Sequence, residues 1–139
     1  MDFTGAKAAL FCGASVLVYL RDEKPGLRWP GLWDLPGGGR EGDEGPEDCL
    51  LRELGEEFGL GLEPDRLIWK RVFPSMVLQG RKSVFFGGRL TRAEVGRIAF
   101  GDEGQGWELM PVSAFLSHRQ AVPEMQRRAG IVWGELGPG

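Results

Sequence analysis

Apolar residues run almost unbroken from Ala8 to Leu20, interrupted only at Gly13 and Ser15. A run of that kind marks a strand buried on both faces, so a strand is expected over residues 7 to 21. A second short apolar piece, residues 32 to 35, leads as a strand into Pro36 and three consecutive glycines, which read as a loop. The period then changes. Leu50, Leu51, Leu54 and Phe58 recur at helical spacing, Pro46 stands at the expected first position and Gly59 just past the end, which predicts a helix over 46 to 58. Further strands are expected at 66 to 73, 82 to 91 and 107 to 110, and short helices at Pro111 to Ser117 and Pro123 to Ala129. Residues 134 to 139 are expected to fray. The elements alternate without the regular period of a doubly wound sheet, so pattern alone gives an α/β chain.

The polar side of the 46 to 58 helix is unusual. At about 100° per residue, Glu53, Glu56 and Glu57 share one arc, opposite the leucines and Phe58. Like-charged pairs at three- and four-residue spacing each cost roughly 0.2–0.5 kcal/mol, and the end of a helix already favours cations. Arg52 is placed to pair with Glu56 and with Asp48, yet one guanidinium cannot neutralise the trio. An acidic run is commonly no more than a solvated face, and Glu47 and Asp48 in the first turn need no other explanation. The trio at the other end calls for a cation, and a divalent metal would supply it.

Residues 38 to 60 hold a fixed pattern: Gly38, five residues, Glu44, seven residues, Arg52-Glu53, Leu54, one residue, Glu56-Glu57, one residue, Gly59, Leu60. With every defined position filled, this resembles the Nudix box of the Nudix (MutT-like) hydrolases. The resemblance implies an α/β/α sandwich with a mixed sheet, the box helix lying at the active site, and one domain over residues 1–139. It implies Mg²⁺-dependent hydrolysis of a diphosphate linkage, with Mn²⁺ as a substitute metal.

Residue by residue, the resemblance implies that Glu56 and Glu57 coordinate the metal, with the carbonyl of Gly37 as a further ligand. Glu53 is implied as a ligand or as the general base, and Arg52 with Glu44 as the pair that orients loop and helix. A later carboxylate is expected from FGDEGQGWELM, residues 100 to 110. Glu103 is the favoured residue for catalysis and metal binding, with Asp102 and Glu108 as alternatives.

Composition narrows the picture without changing it. With 139 residues and 42% hydrophobic content, the chain suits one domain with a real core. A net charge of −3 argues against a surface that coats a nucleic-acid polymer. The first apolar run is too short and too interrupted to span a bilayer, and its flanks do not suit a signal peptide. Cys12 and Cys49 have no metal spacing, so reduced thiols and a cytoplasmic location are the expectation, with Cys49 packing rather than reacting. Partners are expected to be small-molecule nucleotides, and a homodimer is left open.

The substrate is less legible. No coenzyme A motif precedes the box. The single tyrosine, Tyr19, lies upstream, whereas dinucleoside polyphosphate hydrolases of the family carry theirs beyond it. Pro74 stands near the position where ADP-ribose hydrolases place a proline, although a strand end also explains it. Nucleoside triphosphates, oxidised ones included, are the favoured class, with ADP-ribose, a nucleotide sugar or binding without turnover as alternatives. The asparagine that reads oxidised guanine in the sanitising enzymes is replaced here by Ala121 or Val122. Arg21, Arg28 and Arg40 are candidates for phosphate contact, Trp29, Trp33 and Trp107 for base stacking, and His118 is expected at the surface.

Overall fold

The computed structural model describes residues 1–139. Seven strands form one mixed sheet, in which β3 (Trp33–Asp34), β2 (Ser15–Leu20), β1 (Gly5–Cys12), β6 (Lys82–Arg89) and β5 (Leu67–Pro74) lie side by side in that order, with β4 (Gly37–Gly39) on β1 and β7 (Gly106–Pro111) on β2. The first predicted strand is in fact two, β1 (Gly5–Cys12) and β2 (Ser15–Leu20), joined by a tight turn with Cys12 opposite Ser15. The two residues that interrupt the apolar run are thus the turn and its exit. Both strands are apolar on both faces, so no change of period marks the reversal.

Each of these strands divides its side chains between two cores. Ala6, Ala8, Leu10, Leu17, Tyr19, Val84 and Phe86 face α1 (Pro46–Phe58), while Ala9, Phe11, Val16, Val18 and Phe85 face α4 (Pro123–Leu136). The sheet is therefore the middle layer of an α/β/α sandwich. β6 (Lys82–Arg89) runs parallel to β1, and β5 (Leu67–Pro74) closes that edge antiparallel to β6.

On its other edge β1 is shared. Only Phe11 and Cys12 pair with β2, while Gly5 to Lys7 pair with β4 (Gly37–Gly39), which was expected as loop. Between these contacts β2 leaves β1 and takes up β3 (Trp33–Asp34). Leu35 and Pro36 cross the resulting fork. Glycine is required at Gly37, whose φ of 124° favours glycine and whose added Cβ would strike the Ala6 carbonyl and the Lys7 backbone.

β7 (Gly106–Pro111) and α3 (Val112–Leu116) follow the expected pattern, whereas α2 (Arg92–Gly96) and the single 3₁₀ turn at Pro64–Arg66 are additional to the predicted elements. α4 is longer than expected and continues to Leu136, so residues 134 to 136 are helical rather than frayed. Its second half buries Ala129 and Val132 against the sheet, and that tertiary contact carries the helix past two glycines.

Candidate active site

The bounds of α1, Pro46–Phe58, are those read from the sequence, and its apolar face is buried at Leu50, Leu54 and Phe58. Gly59 adopts the left-handed conformation that ends it (φ 64°), and its N–H and that of Leu60 return to the carbonyls of Gly55 and Leu54. The next carbonyls are taken by the loop before β7: Ala99 N–H donates to Phe58 (3.0 Å) and Gly101 N–H to Glu57 (2.9 Å). Satisfying the end of α1 thus brings residues 99 to 105 beside the acidic face. The loop is fastened at its far end by Gln105 N–H on the Leu20 carbonyl (2.8 Å) and Gly104 N–H on Asp22 (3.2 Å).

The acidic trio is not uniform. Glu57 is buried and its Oε1 accepts the Gly37 N–H at 3.0 Å, which ties the helix to β4. Burial pushes its carboxyl up to about 7, against the pull of Lys7 and of the Gly37 N–H. Glu53 is also largely buried and lies against Gly38, where an added Cβ would come within 2.7 Å of its carboxyl carbon. Burial raises its pKa too, opposed by Arg52 and reinforced by Glu56 and Glu103. Glu56 is exposed.

Arg52 gathers the rest. Its Nη1 lies 3.1 Å from Glu53 Oε1, 3.1 Å from Glu56 Oε2 and 3.2 Å from Glu41 Oε2, and its Nη2 donates to Glu44 Oε1 and the Gly39 carbonyl, each at 2.9 Å. The expected pairing with Asp48 gives way to these, because the loop from Gly39 to Glu44 folds back over the helix. Hydrogen bonds from Arg52 and from the Glu41 N–H hold the Glu44 carboxyl down at about 2.

Glu103 lines a cleft of about 270 Å³ with Tyr19, Arg21, Asp22, Lys24, Leu27 and Gly104. Its charge is felt at Glu53. No three His, Cys, Asp or Glu side chains are already gathered in metal-binding geometry. Arg52 instead holds Glu53 and Glu56. The donors themselves, carboxylates and backbone carbonyls, suit a hard divalent cation.

Several other candidates are committed elsewhere. Ala121 and Val122 are core residues bridged to Trp33, with their side chains buried in the sandwich. Gln126 donates to the carbonyls of Phe115 and His118. Trp33 and Trp107 pack against the two cores, whereas Trp29 is exposed. Arg40 bonds the Glu44 carbonyl, Arg28 reaches the Val77 carbonyl, and Pro74 ends β5 with its carbonyl taken by Arg128. Cys49 is buried, and burial pushes its thiol up to about 12, which suits packing.

The residues that sequence reasoning missed lie at the fork of the sheet. Asp34, 2% exposed, receives Lys7 Nζ (3.1 Å), Arg21 Nη1 (2.9 Å) and the Tyr19 hydroxyl (3.4 Å) on Oδ2, and the Leu35 N–H (2.7 Å) on Oδ1. A single charge in each of two otherwise apolar strands was the available signal, since buried charges require partners.

Fold and site together define a sandwich with an acidic helix clamped over a glycine strand at a fork in the sheet. The chain belongs to the NUDIX domain family, whose model matches residues 6–129. Over 63 residues it is 40% identical to an RNA pyrophosphohydrolase of Gluconacetobacter diazotrophicus, covering 39% of this chain and 38% of that protein. Over 53 residues it is 38% identical to an 8-oxo-dGTP diphosphatase of Proteus vulgaris, covering 38% of this chain and 47% of that one. The chain thus spans less than half the length of these relatives. Among solved structures, a bifunctional NMN adenylyltransferase/ADP ribose pyrophosphatase of Francisella tularensis, complexed with AMP and a manganese ion, matches with a TM-score of 0.76 at 21% identity, covering 100% of this chain and 42% of that one. No helix is long and apolar enough to cross a membrane.

Proposed function

We propose that the chain is a Mg²⁺-dependent diphosphohydrolase that converts a nucleoside triphosphate to the monophosphate and pyrophosphate. The observation that carries this is the union of one helix face with one glycine strand: Glu57 bonded to the Gly37 N–H, and Glu53 lying against Gly38. In this assignment Glu56, Glu57 and the Gly37 carbonyl hold the metal, with Glu103 completing the set from its loop. When bound, magnesium supplies the positive charge that neutralises the phosphate oxygens.

Glu53 is assigned as the proton acceptor. Burial makes it a stronger base than an exposed carboxylate, and Arg52 holds only its Oε1. Water gives its proton to Glu53 as its oxygen attacks phosphorus, the bridging P–O bond breaks, and pyrophosphate leaves with the bridging oxygen. Arg52 and Glu44 keep helix and loop in register. Arg21 and Lys24 face the same cleft as Glu103 and would offset the charge of the outer phosphates.

The test is a panel of nucleoside triphosphates, oxidised triphosphates, ADP-ribose and nucleotide sugars, incubated with Mg²⁺ while monophosphate and pyrophosphate release are read. Pyrophosphate release from triphosphates is expected. Efficient ADP-ribose cleavage with no triphosphate turnover would replace this assignment with the ADP-ribose one and make Pro74 a marker.

A further inference from the structure

At the fork in the sheet, the chain from β3 to β4 passes from β2 to β1 through Leu35 and Pro36, which belong to neither strand. Two donors from β1 hold this crossing. Ala8 N–H bonds the Pro36 carbonyl at 3.0 Å, and Lys7 Nζ bonds the Leu35 carbonyl at 2.9 Å. The same ammonium lies 3.1 Å from Asp34 Oδ2, so one side chain grips both ends of the Asp34-Leu35 unit. Immediately after the crossing comes Gly37, opposite Lys7 in the β1–β4 register, and its N–H carries Glu57.

We propose that Lys7 is a positioning residue for the metal half of the site. Through Asp34 and the Leu35 carbonyl it fixes the crossing that orients Gly37, and through Gly37 it fixes Glu57. This rests on the metal role proposed for Gly37 and Glu57. Asp34 is buried and accepts from four donors, so losing one of them disturbs a desolvated network. Arg21 meets the same oxygen from the cleft that holds Glu103, so the Asp34 carboxylate also joins the crossing to the opposite wall of the site.

Electrostatics and positioning predict opposite signs. At a pH where Glu57 is ionised in both proteins, a cation beside a metal site repels the metal, so on charge alone Lys7→Met should tighten Mn²⁺ binding. Positioning predicts the reverse. Mn²⁺ affinity, read by electron paramagnetic resonance without nucleotide, should weaken by at least about tenfold, the usual scale for losing a group that orients a metal ligand. Lys7→Arg, which keeps the charge and its donors, should recover most of that loss.

A second readout needs no metal. Hydrogen exchange at the Gly37 amide of the metal-free protein should speed up in Lys7→Met and remain near wild type in Lys7→Arg. Should Lys7→Met fail to fold, Asp34→Asn, which leaves Lys7 in place, is expected to move both readouts the same way. Unchanged Gly37 protection together with unchanged or tighter Mn²⁺ binding would overturn the proposal, as would a raised KM with metal affinity intact, which would make Lys7 a substrate contact. A wild-type protein that binds no Mn²⁺, yet whose Gly37 exchange depends on Lys7, would defeat the metal assignment and leave the structural coupling standing.

Discussion

Two clusters of arginine and glutamate use the same residue types to opposite effect. At Arg66 and Glu94 one guanidinium meets one carboxylate at 2.7 Å on each oxygen, and Glu94 also accepts the Thr91 N–H in a capping box that starts α2. Hydrogen bonds from Arg66 hold the Glu94 carboxyl down at about 2. At α1 one guanidinium faces Glu41, Glu44, Glu53 and Glu56, and Glu57 lies buried beyond its reach. There the pKa values of Glu53 and Glu57 are raised. The first cluster is complete and stabilises the fold; the second carries an excess of desolvated negative charge that a cation would relieve. Glu44, bonded to Arg52, is depressed like Glu94, so the contrast lies in Glu53 and Glu57, the two buried acids to which the metal and proton roles are proposed.

The sharpest way to break this contrast is to neutralise one acid in each cluster. Glu57→Gln should lower turnover by at least about a hundredfold, the scale of losing one charge-stabilising group, while Glu94→Gln leaves turnover per folded molecule unchanged. Near wild-type kcat in Glu57→Gln would make the α1 cluster structural as well. Glu103→Gln should fall between these, lowering kcat much more than it raises KM, because its carboxylate arrives from a loop at the edge of the cleft. Steady-state kinetics on the preferred nucleotide check both.

Metal addition should distinguish the clusters thermodynamically. A ligand at a hundred times its Kd stabilises the folded state by about 2.7 kcal/mol, so Mg²⁺ at that level should raise the melting temperature of wild type and of Glu94→Gln alike. It should do little for Glu57→Gln. Conversely, Glu94→Gln should cost about 1–2 kcal/mol of stability through its charge-assisted bonds, and denaturant titration measures that.

The pH dependence should have opposite signs. Glu94 is depressed, so its contribution is present above its ordinary value of 4.5 and is lost as pH falls toward about 2. Glu57 is raised, so in metal-free protein stability falls as pH climbs from 4.5 to about 7, and levels off above that. The smallest expected effect follows: at pH 8 without metal, Glu57→Gln should melt slightly above wild type, because a desolvated charge is gone. A clear drop in melting temperature instead would show that the charge itself supports the fold.

Most of the site was legible because it occupies one helix and the loop that enters it. Helical periodicity placed Glu53, Glu56 and Glu57 on one arc, and proline and glycine fixed both ends of α1. Glu103 was read from the resemblance alone, and its approach depends on the loop that satisfies the last carbonyls of α1. Ala121 and Val122, set by resemblance at the position of the base-reading asparagine, are core residues, because a short helix pattern does not reveal which side the sheet covers. The hairpin of β1 and β2 escaped for a related reason: strands buried on both faces show no alternation whose reversal would mark a turn.

The sequence by itself determined the local order: the acidic helix, its limits, the glycine stretch before it and the family to which the chain belongs. These rest on spacing within a few turns of chain, where geometry follows directly from residue order. Only the tertiary structure decided which charges are answered. Lys7, Tyr19, Arg21 and Asp34 converge because the sheet forks along β1, and Glu57 differs from exposed Glu56, its neighbour in sequence, because β4 and the loop before β7 close over one and not the other. Burial sets the cost of a charge and depends on elements far apart in the chain, so no local pattern carries it.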